Sequence, residues 1–166
     1  MKRVISFFPV LILLMTACQT KVREVPVVTA AAKEAVIHAL DQFHAAFMAK
    51  DAKIVSSMLD NDGLYCGTDP REVFDKKVLM EQLTSLFADT THTIQYTIER
   101  REIRMDTGGN SAMAMEQAVY KLVSPKIPVR LISHLIKSED GWVVDFYSWN
   151  LIPLNEDIEK LNKALE

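Results

Sequence analysis

The sequence predicts an α+β fold in which helices pack on one side of an antiparallel sheet. Three observations predict it. Between Ala30 and Phe87, apolar side chains recur at three- and four-residue spacings, the period of an amphipathic helix. From Thr93 to Asn150 the chain changes to long runs suited to strands. Turn signals divide those runs into four, and helices first with strands after is the α+β order.

Before the folded part, Lys2 and Arg3 give a positive start, and Val4 to Ala17 is uncharged and mostly apolar. Fourteen residues at ~1.5 Å each do not cross a ~30 Å hydrocarbon core as a helix. A basic start, a short apolar stretch and small residues mark residues 1–17 as an export signal cut after Ala17. Residues 18–29 then form a tether, polar and β-branched, with Pro26 and no helical period.

The domain proper is expected over residues 30–152. Ala30 to Lys50 reads as a helix with Val36, Leu40, Phe43 and Phe47 along one face. Asp51 is expected to cap a second helix that buries Ile54, Val55 and Met58. Asp60-Asn61-Asp62-Gly63 reads as a turn, followed by a short strand from Leu64 to Cys66 and a loop, Gly67-Thr68-Asp69-Pro70. Asp75 caps a third helix with Leu79, Met80, Leu83, Leu86 and Phe87 on its apolar face. Strands are expected at Thr93 to Met105, Ser111 to Val123, Val129 to Ile136 and Trp142 to Asn150. Thr107-Gly108-Gly109-Asn110 and Ser138-Glu139-Asp140-Gly141 serve as tight connections. Residues 153–166 read as a C-terminal helix capped by Asn155 and docked through Ile158, Leu161 and Leu165.

Composition narrows the function. Removing Lys2 and Arg3 from 19 basic residues leaves 17 against 22 acidic, a net charge of −5. A basic nucleic-acid footprint is therefore not expected. Cys18 and Cys66 are the only cysteines, so a lipidated Cys18 leaves no pair for an internal disulfide. Cys66 reads as a small buried hydrophobe.

The context Leu14-Met15-Thr16-Ala17-Cys18 resembles the lipobox of bacterial lipoproteins, with Met15 where leucine is usual. The resemblance implies a lipid-modified Cys18, with a diacylated thiol and an acylated N-terminus. Two or more chains anchor a protein stably where one does not. Gln19 in place of Asp implies the outer membrane, with the domain facing the periplasm. About ten residues of tether, at ~3.6 Å each, hold the domain within roughly 35–40 Å of the membrane.

Three further motifs carry a second resemblance. These are Phe47-Met48-Ala49-Lys50-Asp51 at the end of the first helix, Gly67-Thr68-Asp69-Pro70-Arg71-Glu72 before the helix at Asp75-Lys76-Lys77, and Asp140-Gly141-Trp142-Val143-Val144 in the last hairpin. In this order, over roughly residues 33–152, they resemble the SnoaL-like branch of the nuclear transport factor 2-like superfamily. The resemblance implies a cone in which a curved sheet wraps the first helix, usually with a pocket at the open end. Some members are isomerases, cyclases or dehydratases, and others bind ligands or proteins without catalysis. Homodimers are common. Asp75 departs from the Gly or Ser expected there. Asp145-Phe146-Tyr147-Ser148 stands where many relatives carry histidines.

Candidate site residues follow from the strand pattern. If Lys137 pairs with Trp142, then His134 faces Asp145, and an Asp beside a His can orient an imidazole as a general base needs. Tyr147, Trp149, Ile132 and Ile136 are expected on that same face. Phe43, Phe47 and Tyr65 add to a candidate ligand pocket, and Tyr96 and Tyr120 can supply hydroxyls. Glu116, between Ala114 and Ala118, either projects into a cavity or points to solvent. Both faces of the last hairpin are apolar, which calls for a cover on the outer one; a second copy of the chain is the simplest, and the C-terminal helix or the membrane-side surroundings are the alternatives. His38 and His44 lie six apart on the first helix and are not read as a metal pair. No cofactor, phosphate loop or Ser/His/Asp signature is expected. The favoured reading is an envelope lipoprotein that binds a small apolar or amphipathic ligand. The alternatives are a His134–Asp145 acid/base enzyme, or an interaction module whose cone is filled.

Overall fold

A computed structural model describes residues 28–166. The export signal, Cys18 and most of the tether lie outside the described residues. Ala30–Met48 (α1) starts at Thr29, whose hydroxyl accepts from Ala32 N at 3.1 Å. Its buried stripe includes Val36, Leu40, Phe43 and Phe47, as the spacing predicts. The helix ends where Lys50 turns into the left-handed region at φ 57°. Asp51 then caps Ala52–Ser57 (α2) by accepting from Ile54 N. Val55 is buried there, but Ile54 is 47 % exposed, contrary to expectation.

Leu59–Cys66 (β1) is longer than the sequence suggests. Asp60, Asn61, Asp62 and Gly63 belong to it rather than forming a separate turn. Asp60 does accept from Asp62 N in a local loop, and the strand's register to its neighbour shifts between Leu59 and Leu64. The turn-forming residues thus make an irregularity inside the strand. Gly63 is required here, because an added Cβ would meet the Tyr65 hydroxyl at 2.1 Å and Asp145 O at 2.8 Å. Cys66, at the strand's end, is half-buried rather than a core residue. The two-residue strand Val73–Phe74 (β2) pairs back on it. Asp75 caps Lys76–Ala88 (α3), which buries Leu79, Leu83 and Phe87.

Four long strands follow: Tyr96–Met105 (β3), Ser111–Tyr120 (β4), Val129–Ser138 (β5) and Gly141–Leu151 (β6). They form the antiparallel meander predicted, inside a six-stranded sheet of order β2-β1-β6-β5-β4-β3, with β1 parallel to β6. Ala112, Ala114, Glu116, Ala118 and Tyr120 alternate inward along β4, and Val129, Leu131, Ser133 and Leu135 along β5.

Two bulges set the facing of the outer parts. On β3, Ile98 pairs with Ala118 and Arg100 with Gln117, so Glu99 is extra and Arg101 comes opposite Glu116. On β6, the expected register holds from Lys137–Trp142 to Leu135–Val144. Asp145 is then extra, and His134 stands opposite Phe146. The sequence-based facing is corrected accordingly: Tyr147 and Trp149 turn into the core, while Ile132, His134 and Ile136 stay on the outer face. Beyond β6, Asn155–Asp157 forms a 3-10 turn and Ile158–Lys163 (α4) a short helix. Asn155 makes no side-chain cap and α4 buries nothing. Leu165 is 87 % exposed, so the docking expected of this segment is slight.

Candidate functional site

Large aromatic rings fill most of the interior between α1 and the sheet. Phe43 lies against Phe47 and Tyr147, and Tyr65 against Tyr147. Tyr96 touches Phe47, Tyr120 and Trp149. Tyr65 is fully buried, and its hydroxyl donates to backbone oxygens at Asp60 and Val144.

A polar cluster sits among these rings. Glu116 is 1 % exposed. Its carboxylate can only accept, so His44 Nε2 donates to it at 2.8 Å, and His44 Nδ1 lies within hydrogen-bond distance of the Tyr96 hydroxyl, also 2.8 Å. Arg101 Nε donates to the second Glu116 oxygen at 2.6 Å, and its guanidinium reaches on to Asp41 at 2.8 Å. Burial pushes the Glu116 carboxyl up, but the His44 hydrogen bond and charge, together with Arg101, outweigh it and hold the group below its ordinary value. Of the two sequence readings of Glu116, the inward one holds, but it faces partners rather than open space.

The open space lies at the end of the cone. A cavity of about 300 Å³ is walled by Phe47, Tyr120, Tyr147 and Trp149, by the Leu79–Leu83–Leu86 face of α3, and by Phe74. Thr68, Glu72 and Gln82 supply its polar rim. That volume stands at the lower end for small-molecule sites. The hydroxyls of Tyr120 and Tyr147 have no protein partner among the described residues, and burial raises the pKa of both, Tyr120 to about 12. A wider groove of about 900 Å³ runs between α1 and the β5–β6 turn, but small alanines such as Ala39 and Ala46 line much of it.

Four of the eight pocket residues named from sequence therefore line the cavity: Phe47, Tyr120, Tyr147 and Trp149. Phe43, Tyr65, Tyr96 and Glu116 are core residues behind it. His134 and Asp145 do meet, Nδ1 to Oδ1 at 2.7 Å, through the bulge rather than by direct pairing. They lie half-exposed on the outer face, across the sheet from the cavity. Sequence reasoning missed His44, although it stands four residues after Leu40 and three before Phe47 on the same stripe. It missed Arg101, whose facing depends on the β3 bulge. It also missed the share of α3 and Glu72 in the cavity wall. The apolar face of α3 was visible; which space it bounds was not. Among the described residues, no group of three or more His, Cys, Asp or Glu side chains could hold a metal ion.

A curved sheet closed by helices on one side, with a cavity at its open end, defines a cone of the nuclear transport factor 2-like type. Solved structures bear out the class. An NTF2-like protein of unknown function from Pseudomonas putida KT2440 superposes with a TM-score of 0.66 at 12 % identity, covering 78 % of this chain and 92 % of that one. An NTF2-like protein from Cytophaga hutchinsonii gives 0.61 at 13 %, covering 72 % and 98 %. A cystatin-like fold protein from Burkholderia xenovorans LB400 gives 0.63 at 14 %, covering 76 % and 95 %. At such identities the likeness concerns the fold alone. The SnoaL-like domain profile matches residues 36–148, and the chain belongs to that family. No curated protein sequence matches it.

Proposed function

We propose that this chain is a lipid-anchored envelope protein whose cavity binds a small apolar or amphipathic molecule without chemical conversion. The observation that carries the reading is the aromatic cavity, which keeps two tyrosine hydroxyls free at its wall. A wall of this kind removes apolar ligand surface from water at roughly 25 cal/mol per Å² and orients one polar group. The acid/base reading finds less support, because His134 and Asp145 lie on the opposite face of the sheet. The filled-cone reading accounts for the inner part, where Phe43, Tyr65 and Tyr96 leave no room, but not for the mouth.

The export signal and Cys18 support anchorage at the envelope, and Gln19 in place of Asp supports the outer membrane, with the domain facing the periplasm. The outer sheet face supports a homodimer. Met113 is 45 % exposed there, beside half-buried Ile132, Ile136 and Phe146.

The binding reading is tested with the neutral fluorophore N-phenyl-1-naphthylamine. Its emission is expected to rise on titration into the full chain. Leu86→Trp, which puts an indole into the cavity from a half-buried position, is expected to abolish the rise while the melting temperature stays within a few degrees. Equal dye binding by a folded Leu86→Trp protein would refute the site.

A further inference from the structure

The cavity also has a sign. Among the residues that line it, Glu72 alone carries a formal charge, and neither lysine nor arginine faces it there. We propose that the ligand is an organic cation, an amine or quaternary ammonium on an apolar body, held between the aromatic wall and the Glu72 carboxylate. This inference rests on the reading of the cavity as a ligand site.

Glu72 is fixed in place. Its Oε2 accepts from Asp69 N at 3.0 Å, and the loop is closed by Gly67 N donating to Glu72 O at 2.9 Å. The carboxylate lies directly over Gly67, where an added Cβ would come within 2.1 Å of Oε2. The missing side chain at position 67 is what lets the carboxylate occupy that spot. Arg71 is next in sequence but does not neutralise it at the cavity. It forks onto Asp69 with two bonds of 2.9 Å and is 90 % exposed. The negative charge reaches the wall: Tyr147 loses acidity to burial first, and then to Tyr65, Cys66 and Glu72.

The rings complete the argument. Phe47, Phe74, Tyr120, Tyr147 and Trp149 line the cavity, and a cation over an aromatic face is attracted by the ring quadrupole, most strongly where water is excluded. An anion of the same size would meet Glu72 and those faces with no cationic side chain to offset them. A neutral body would fill the space and take water from the carboxylate, with only the Asp69 N–H left to offset its charge.

The experiment compares three probes built on a benzyl group by calorimetry on the full chain. These are benzyltrimethylammonium, its uncharged isostere neopentylbenzene, and the anion 3-phenylpropionate. The cation is expected to bind about tenfold tighter than the neutral isostere, with the anion weakest. Glu72→Gln is expected to shrink the cation's advantage over the neutral isostere to what the rings alone supply. Gln82→Lys, which sets a positive charge on the cavity wall with Glu72 intact, is expected to do the same and guards against misfolding of the first variant. Neutral or anionic binding as tight as the cation's would overturn the proposal, as would a cation preference left undiminished by both substitutions. If N-phenyl-1-naphthylamine and all three probes fail to bind, the ligand-site reading falls with it. If the dye binds and only the cation preference is missing, the charge inference falls alone.

Discussion

Glu116→Ala is the perturbation that bears hardest on the interior. The side chain is 1 % exposed and accepts from both His44 and Arg101. Truncating it leaves a guanidinium with 18 % of its side chain exposed and an imidazole with 4 %, both without their carboxylate. Breaking a buried ion pair from one side costs about 3–5 kcal/mol. The other end of the network gives the internal comparison. Asp41 is 61 % exposed, so its bond to Arg101 is screened, and Asp41→Ala is expected to cost about 1 kcal/mol or less. With a urea slope of about 2 kcal/mol/M, Glu116→Ala should lower the unfolding midpoint by roughly 1.5–2.5 M and Asp41→Ala by about 0.5 M at most.

Acid gives a second readout of the same group. The carboxyl is held below its ordinary 4.5, so its contribution is full above that value and is lost as pH falls through the lower folded-state value. The stability gap between the wild type and Glu116→Gln should therefore be constant near neutrality and close below pH 4.5. Urea titrations followed by far-UV circular dichroism at pH 7, 5 and 3.5 measure both effects. A loss at pH 7 no larger than that of Asp41→Ala, or a gap that widens in acid, would refute the account of the cluster.

Three other outcomes are expected. Gly63→Ala should destabilise by about 1–3 kcal/mol in urea melts, because its Cβ has no room against the Tyr65 hydroxyl and the Asp145 carbonyl. Cys18→Ser should move the protein from the membrane pellet to the soluble fraction after export, read by fractionation and blotting. Ile132→Glu, on the outer sheet face, should convert a dimer to a monomer in light scattering without lowering the melting temperature by more than a few degrees; a monomeric wild type would end the dimer proposal.

Local periodicity made much of this fold legible. The α1 stripe, the Asp51 and Asp75 caps and the meander all follow from spacings within a few residues, because caps and amphipathic faces are satisfied locally. The hairpin register was also legible as far as Leu135–Val144, since its two-residue turn fixes it. One residue further it was not. Asp145 adds a residue to one strand, and everything beyond changes face. That exchange brings Tyr147 and Trp149 to the cavity and leaves His134 and Asp145 on the outer face. Half of the cavity wall comes from α3 and the Gly67–Glu72 loop, elements whose positions depend on how helices settle on the sheet.

The sequence by itself determined the three N-terminal helices, the four-strand meander, the α+β class, and the family to which residues 36–148 belong. It also determined that small residues at 112, 114 and 118 would flank Glu116. Tertiary structure alone decided what Glu116 meets, which aromatic rings are core and which are wall, and that a single carboxylate, Glu72, stands at the rim of an aromatic cavity. The physical reason is that a strand's facing has a period of two residues. A single bulged residue therefore reverses it, and no composition or spacing rule records whether a bulge will form.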